Sequence, residues 1–121
     1  MTCSWVPAFL IVALFCGALS AQDDIEKKKI EFLISSVENL KGATFIRNGS
    51  EYDGKKAAEH LRLKLKNAGA RVQTADDFIS LCASQSYFTG KPYMIRFPDG
   101  RIIKSEKYFR EKLKEYCPTV K

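Results

Sequence analysis

The charge distribution of this chain breaks once, and the break decides how much of it can fold as a water-facing domain. Met1 to Ala21 contains no Lys, Arg, Asp or Glu, and the 20 basic and 14 acidic residues all lie beyond it. The middle of that stretch, Trp5 to Phe15, is almost wholly apolar, and Gly17-Ala18-Leu19-Ser20-Ala21 closes it with mostly small residues. A short apolar run ending in small side chains has the pattern of a cleaved export leader. A membrane-spanning helix asks for about 20 apolar residues, more than this run supplies. Removal after Ser20 puts Ala18 at the −3 position, and removal after Ala21 puts Leu19 there. Two alternatives stand beside it: an uncleaved N-terminal anchor, or lipidation at Cys16, whose preceding Phe15 suits a lipoprotein site poorly. The expectation is therefore a periplasmic or secreted protein, with residues 1–21 as the leader and 22–121 as a single domain of about 100 residues.

Apolar spacing divides that domain into four helices and a little sheet. Ile30, Leu33, Ile34, Val37 and Leu40 form one helical face, predicting a first helix from about Asp24 to Lys41 ended by Gly42. Ala43 to Arg47 reads as a short strand and Asn48-Gly49-Ser50 as a turn. A second helix is expected over Gly54 to Ala68, capped by Asp53 and faced by Ala57, Ala58, Leu61, Leu65 and Ala68. Thr74-Ala75-Asp76-Asp77 has the form of a capping box with Asp in place of Glu, opening a third helix that runs to about Ser84. Lys91 to Phe97 alternates, Pro98-Asp99-Gly100 turns, and Arg101-Ile102-Ile103 returns, which is a β-hairpin. Ser105 is read as the cap of a fourth helix ending near Tyr116. The predicted architecture is a small α+β domain, about four helices packed on a β-hairpin with one additional short strand.

Two cysteines fall in the domain, Cys82 and Cys117. Each continues an apolar stripe, Cys82 after Ala75, Phe78 and Ile79, Cys117 after Phe109, Leu113 and Tyr116. In an oxidising compartment they invite a disulfide, with two buried free thiols as the alternative. The net charge of +6 belongs entirely to the part beyond the leader. A basic exported domain suits an anionic neighbour: a small molecule, an envelope polymer or an acidic protein. Nucleic acid is disfavoured, because the aromatics lie on apolar stripes and are not interleaved with the cations.

Several blocks in order carry a resemblance: Phe45-Ile46-Arg47-Asn48-Gly49, Ala58 to Leu65, Thr74 to Ile79, Ala83-Ser84-Gln85-Ser86, and Thr89-Gly90-Lys91-Pro92-Tyr93. Over roughly Ile30 to Leu113 the chain is similar to the YfeK-like family of small exported bacterial proteins, a family whose domain has no assigned function. The resemblance implies a bacterial and periplasmic protein. It brings no activity with it.

The chemistry-bearing residues are few. His60 is the single histidine, at the edge of the second helix's apolar face with Lys64 one turn on. It is a candidate general base, and Ser84 or Ser86 is a candidate nucleophile beside it, giving a small envelope hydrolase as the alternative function. No nucleophile-elbow pattern surrounds either serine. One histidine and two distant cysteines do not supply the three or four ligands of a zinc site, and no cofactor motif is present. Thr89-Gly90-Lys91 lacks the glycine spacing of a phosphate loop, and Pro92 follows where a helix should start. If the Phe45 strand lies beside the Tyr93 strand, Arg47, Asn48, Lys91 and Tyr93 converge near His60 and Lys64. That grouping predicts a cationic pocket for a carboxylate, phosphate or acidic peptide, in a non-catalytic binding or interaction module.

Overall fold

The computed structural model describes residues 23–116. The leader reading and Cys117 fall outside the described residues. Among those described, no helix is long and apolar enough to cross a membrane.

Helix α1, residues 23–38, stops three residues before the expected Lys41. The apolar stripe does continue to Leu40, but Leu40 N–H now donates to Val37 O in a tightened turn. Ile30, Leu33, Ile34 and Val37 are all buried. Strand β1 (Thr44–Arg47) then runs into Asn48 and Gly49, both left-handed at φ 50° and 81°. This is the geometry of a two-residue hairpin turn, and Asn-Gly is the dipeptide that adopts it at least cost. It folds the chain back as β2 (Ser50–Tyr52). A second strand beyond the predicted hairpin therefore exists where only a turn was expected. Helix α2 (Gly54–Ala68) starts as read, with Asp53 Oδ1 accepting from Lys56 N–H at 2.9 Å.

Thr74 and Asp77 form the capping box of α3 (Ala75–Phe78), each side chain accepting from the other's backbone N–H. Glu26 of α1 reaches the same helix start, taking the Ala75 N–H at 2.8 Å. Beyond Phe78 the hydrogen bonding widens into a π-helical stretch, Ile79–Ala83, instead of the regular helix expected to Ser84. Ile79, Cys82 and Ala83 are all buried there, so tertiary packing sets the wider turn. Strands β3 (Met94–Arg96) and β4 (Ile102–Lys104) make the predicted hairpin, and α4 (Ser105–Glu115) follows directly. Ser105 does not cap α4. Lys104 holds the cap position without a side-chain bond, while Ser105 is a buried first-turn residue whose N–H donates to Tyr93 O at 2.8 Å.

The result is a small α+β domain with an antiparallel sheet in the order β2-β1-β3-β4. The register puts Tyr52, Phe45, Ile95 and Ile103 in one cross-strand row. Phe45 and Ile95 are buried and the other two pack on the core at its margin. That row and the helices enclose the core, in which Phe78 and Phe109 meet edge to face at 6.1 Å. At Gly54, helix α2 approaches the end of α1 without a side chain between them. A Cβ on Gly54 would lie 2.4 Å from Val37 O, so only glycine allows this crossing.

Candidate functional site

The α2 positions 57, 60, 61 and 64 recur at helical spacing and make one stripe. The side chains of that stripe, Ala57, His60, Leu61 and Lys64, face the end of the sheet across a small, open cleft. The sheet contributes Phe45, Arg47, Tyr52, Tyr93 and Met94, and α4 contributes Phe109. Phe45 and Arg47 are two apart on β1, so alternation puts them on the same face of the sheet, and Tyr93 immediately precedes β3. The base of the cleft is apolar and its rim carries cations.

Arg47 places its guanidinium 5.6 Å from the Tyr52 ring centroid, and Tyr52 meets His60 edge to face at 4.8 Å. Arg47 and then Ser50 hold the Tyr52 phenol below its usual range. Lys64 Nζ donates to Tyr93 Oη at 2.7 Å and to Gln85 O at 3.2 Å. Its distance of 4.7 Å from the Tyr93 centroid, with the hydroxyl so much nearer, makes this contact a hydrogen bond first and a cation–π contact second. Partial burial lowers the affinity of His60 for a proton, and Arg47 and Lys56 lower it further against a smaller opposing pull from Glu59.

Among the described residues, no ion pair involves Arg47 or Lys64. The described residues include every Asp and Glu of the chain. The two cations at the rim are thus partnered by neutral oxygens and rings, not by side-chain carboxylates. Elsewhere some basic residues are paired, Arg62 with Glu31 and Glu38, Arg96 with Glu51, Arg110 with Asp76 and Glu106, while others, such as Lys27, Lys55 and Lys66, are in no ion pair among the described residues.

Four of the six residues singled out for the pocket line this cleft: Arg47, His60, Lys64 and Tyr93. The other two lie beside it. Asn48 donates to Ser86 Oγ at 3.1 Å and accepts from Thr89 Oγ1 at 2.7 Å, tying the β1–β2 turn to the loop before β3. Lys91 is exposed on that loop, its N–H donating to Thr89 Oγ1 at 3.2 Å. The serines are engaged elsewhere. Ser84 donates to Ile79 O at 2.6 Å, and Ser86, buried at 4% exposure, accepts from Asn48 and from the Thr89 N–H. Among the described residues neither hydroxyl is bonded to His60. Cys82 is buried, and burial pushes its thiol up. Among the described residues no three His, Cys, Asp or Glu side chains gather as a metal site would require.

Tyr52 and Phe109 are the cleft residues that spacing alone did not reveal. Tyr52 depends on β2, and the Asn-Gly turn was the signal for it. Phe109 was read as a helix stripe, and its place at the cleft depends on long-range packing.

The class is defined by these features: a small α+β domain with a cation-rimmed, apolar-floored cleft between one helix and the end of a four-stranded antiparallel sheet. The chain belongs to the family of unknown function DUF5329, whose model matches residues 24–117. It is also similar to the uncharacterized protein YfeK of Salmonella typhimurium, 43% identical over 68 residues. That match covers 56% of this chain and 57% of the relative, so little more than half of each is compared. No solved structure matches the chain.

Proposed function

We propose that this is an exported, non-catalytic binding module whose cleft takes an anionic ligand with an apolar body. The ligand class is a small carboxylate or phosphate, an acidic peptide, or the acidic terminus of an envelope polymer or protein. The observation that carries the reading is that two cations without carboxylate partners, Arg47 and Lys64, line one largely apolar cleft. They come from β1 and α2, elements brought together only by the fold, whereas charges serving solubility need no common cleft. An anion there would accept charge-assisted hydrogen bonds worth about 1.5–3 kcal/mol each. It would also offset the repulsion from Arg47 and Lys56 that adds to burial in lowering the proton affinity of His60. Export is supported by the uncharged apolar leader pattern and by the family resemblance. In that compartment Cys82 and Cys117 are proposed to pair, which alkylation under non-reducing, denaturing conditions tests.

The direct trial is NMR titration of residues 22–121 with phosphate, citrate and acidic peptides. Amide shifts concentrated at Arg47, His60, Lys64 and Tyr93 are expected, and Arg47→Ala should weaken binding about tenfold or more. Shifts spread over Lys27 to Lys29 and α4, with Arg47→Ala behaving as the parent, would show a solvated charge coat and end the binding-site reading.

A further inference from the structure

The exposed apolar surface has a sharp local maximum. Tyr87 and Phe88 are 81% and 93% exposed, well above the other exposed large apolar residues, such as Leu63 at 56% and Ile102 at 52%. They are sequence neighbours at the tip of one loop and contact each other edge to face at 5.8 Å. Neither belongs to the core cluster.

The loop that presents them is held in shape. Ser86 N–H donates to Lys91 O at 2.9 Å, Gly90 N–H donates to Ser86 O at 3.0 Å, and Gln85 pairs with Pro92 at its base. Asn48 then anchors the loop to the β1–β2 turn through Ser86 and Thr89. Hydrogen bonds therefore keep two large rings in water when a slack loop would fold them onto the domain. A contiguous apolar projection of this kind marks a contact site.

The charge around the tip narrows the partner. No Asp or Glu occurs between Asp77 and Asp99. Lys91 lies within the loop, Lys64 donates to the loop carbonyl of Gln85, and Arg47 adjoins Asn48. The two rings form a convex tip, not a groove, and Tyr87 carries a hydroxyl suited to headgroup depth. We infer that the Tyr87–Phe88 loop is a membrane-surface anchor that inserts its rings at the interface of an anionic lipid bilayer, with Lys91 on the headgroups. The inference stands apart from the ligand reading, since the tip rings do not line the cleft.

The test uses residues 22–121, which contain the whole described core and lack the apolar leader that would itself bind lipid. That segment has no tryptophan, because the chain's one Trp is Trp5, so Phe88→Trp supplies a single reporter. Vesicles of phosphatidylglycerol in phosphatidylcholine should shift its emission to the blue, and phosphatidylcholine alone should do so much less. Rising salt should weaken the effect. In co-sedimentation, Tyr87→Ser with Phe88→Ser should lower partitioning by at least about tenfold. Lys91→Gln should lower it roughly fivefold. Both variants should keep the parent's thermal melt. A water-like Trp emission on anionic vesicles, or equal sedimentation of the double variant and the parent, overturns the proposal. A photo-crosslinker at position 88 that yields one discrete protein adduct, with no lipid dependence, overturns it in favour of a protein partner.

Discussion

Replacing Gly54 with alanine tests the close approach of α2 to the end of α1. The new Cβ would sit 2.4 Å from Val37 O, with Leu40 O at 3.3 Å and Glu38 O at 3.4 Å, where real contacts stay beyond 3.0 Å. Helices α1 and α2 must then separate locally by about 0.6 Å, and the obstacle is backbone, which cannot rotate away as a side chain can. Overpacking of this kind costs about 1–3 kcal/mol. Against it stands the better helix propensity of alanine, at most about 1 kcal/mol and less in a first turn. The net expectation is a loss of about 2 kcal/mol, which lowers Tm by roughly 8–16 °C in a domain of this size. Thermal and urea melts followed by circular dichroism measure it, with the exposed neighbour variant Lys55→Ala as the control. The urea midpoint should fall at constant slope. Because α2 carries His60 and Lys64, anion binding should weaken in the same variant. A Gly54→Ala protein that melts at or above the parent would refute the reasoning, since the helices would then tolerate a methyl group that the geometry excludes.

Removing the α3 capping box with Thr74→Ala should cost about 1 kcal/mol in the same melts. Asn48→Gly keeps the left-handed turn but deletes both ties to the 85–91 loop, so amide exchange at Thr89 and Lys91 should quicken while the core amides hold. His60 should titrate below its ordinary value of 6.5, and Arg47→Ala should raise it, as read from the imidazole proton shifts. Because the folded protein binds that proton less readily than the unfolded chain, stability from this group is present above pH 6.5 and declines as pH falls below it. A bound anion should raise the His60 value, so ligand affinity should increase as pH falls through it.

The helical faces were legible because burial repeats at helical spacing, and Ile30, Leu33, Ile34, Val37, Ala57, Ala58 and Leu61 are all in the core. The Thr74 box was legible because capping is local. Strand β2 was not, because Ser50-Glu51-Tyr52 has no alternating apolar pattern and becomes a strand only through the turn before it. Ser105 resembled a cap because a serine opens a charged helix, but it lies inside the first turn and its backbone N–H donates to Tyr93 O just before β3. The π-helical stretch has no local signature, since packing of Ile79, Cys82 and Ala83 imposes it. For the cleft, pairing β1 beside β3 was enough to gather Arg47, His60, Lys64 and Tyr93. Lys91 was grouped with them for its place beside the Thr89-Gly90 turn, but it stays exposed on the loop, three residues before regular strand begins at Met94.

The sheet is two local hairpins, β1–β2 and β3–β4, joined by one seam where Phe45 pairs with Ile95 and Ile46 with Met94. About fifty residues of chain separate the two sides of that seam, so it closes late in any route where nearby contacts form first. Arg47 and Tyr52 belong to one hairpin, Tyr93 and Met94 adjoin or belong to the other, and α2 bridges them. The cleft is therefore absent from either half alone. An occupant would act as a clasp across the seam, holding the hairpins together by its own binding free energy. Amides of β1 and β3 should gain more protection from exchange on ligand addition than those of β4 at the sheet's edge.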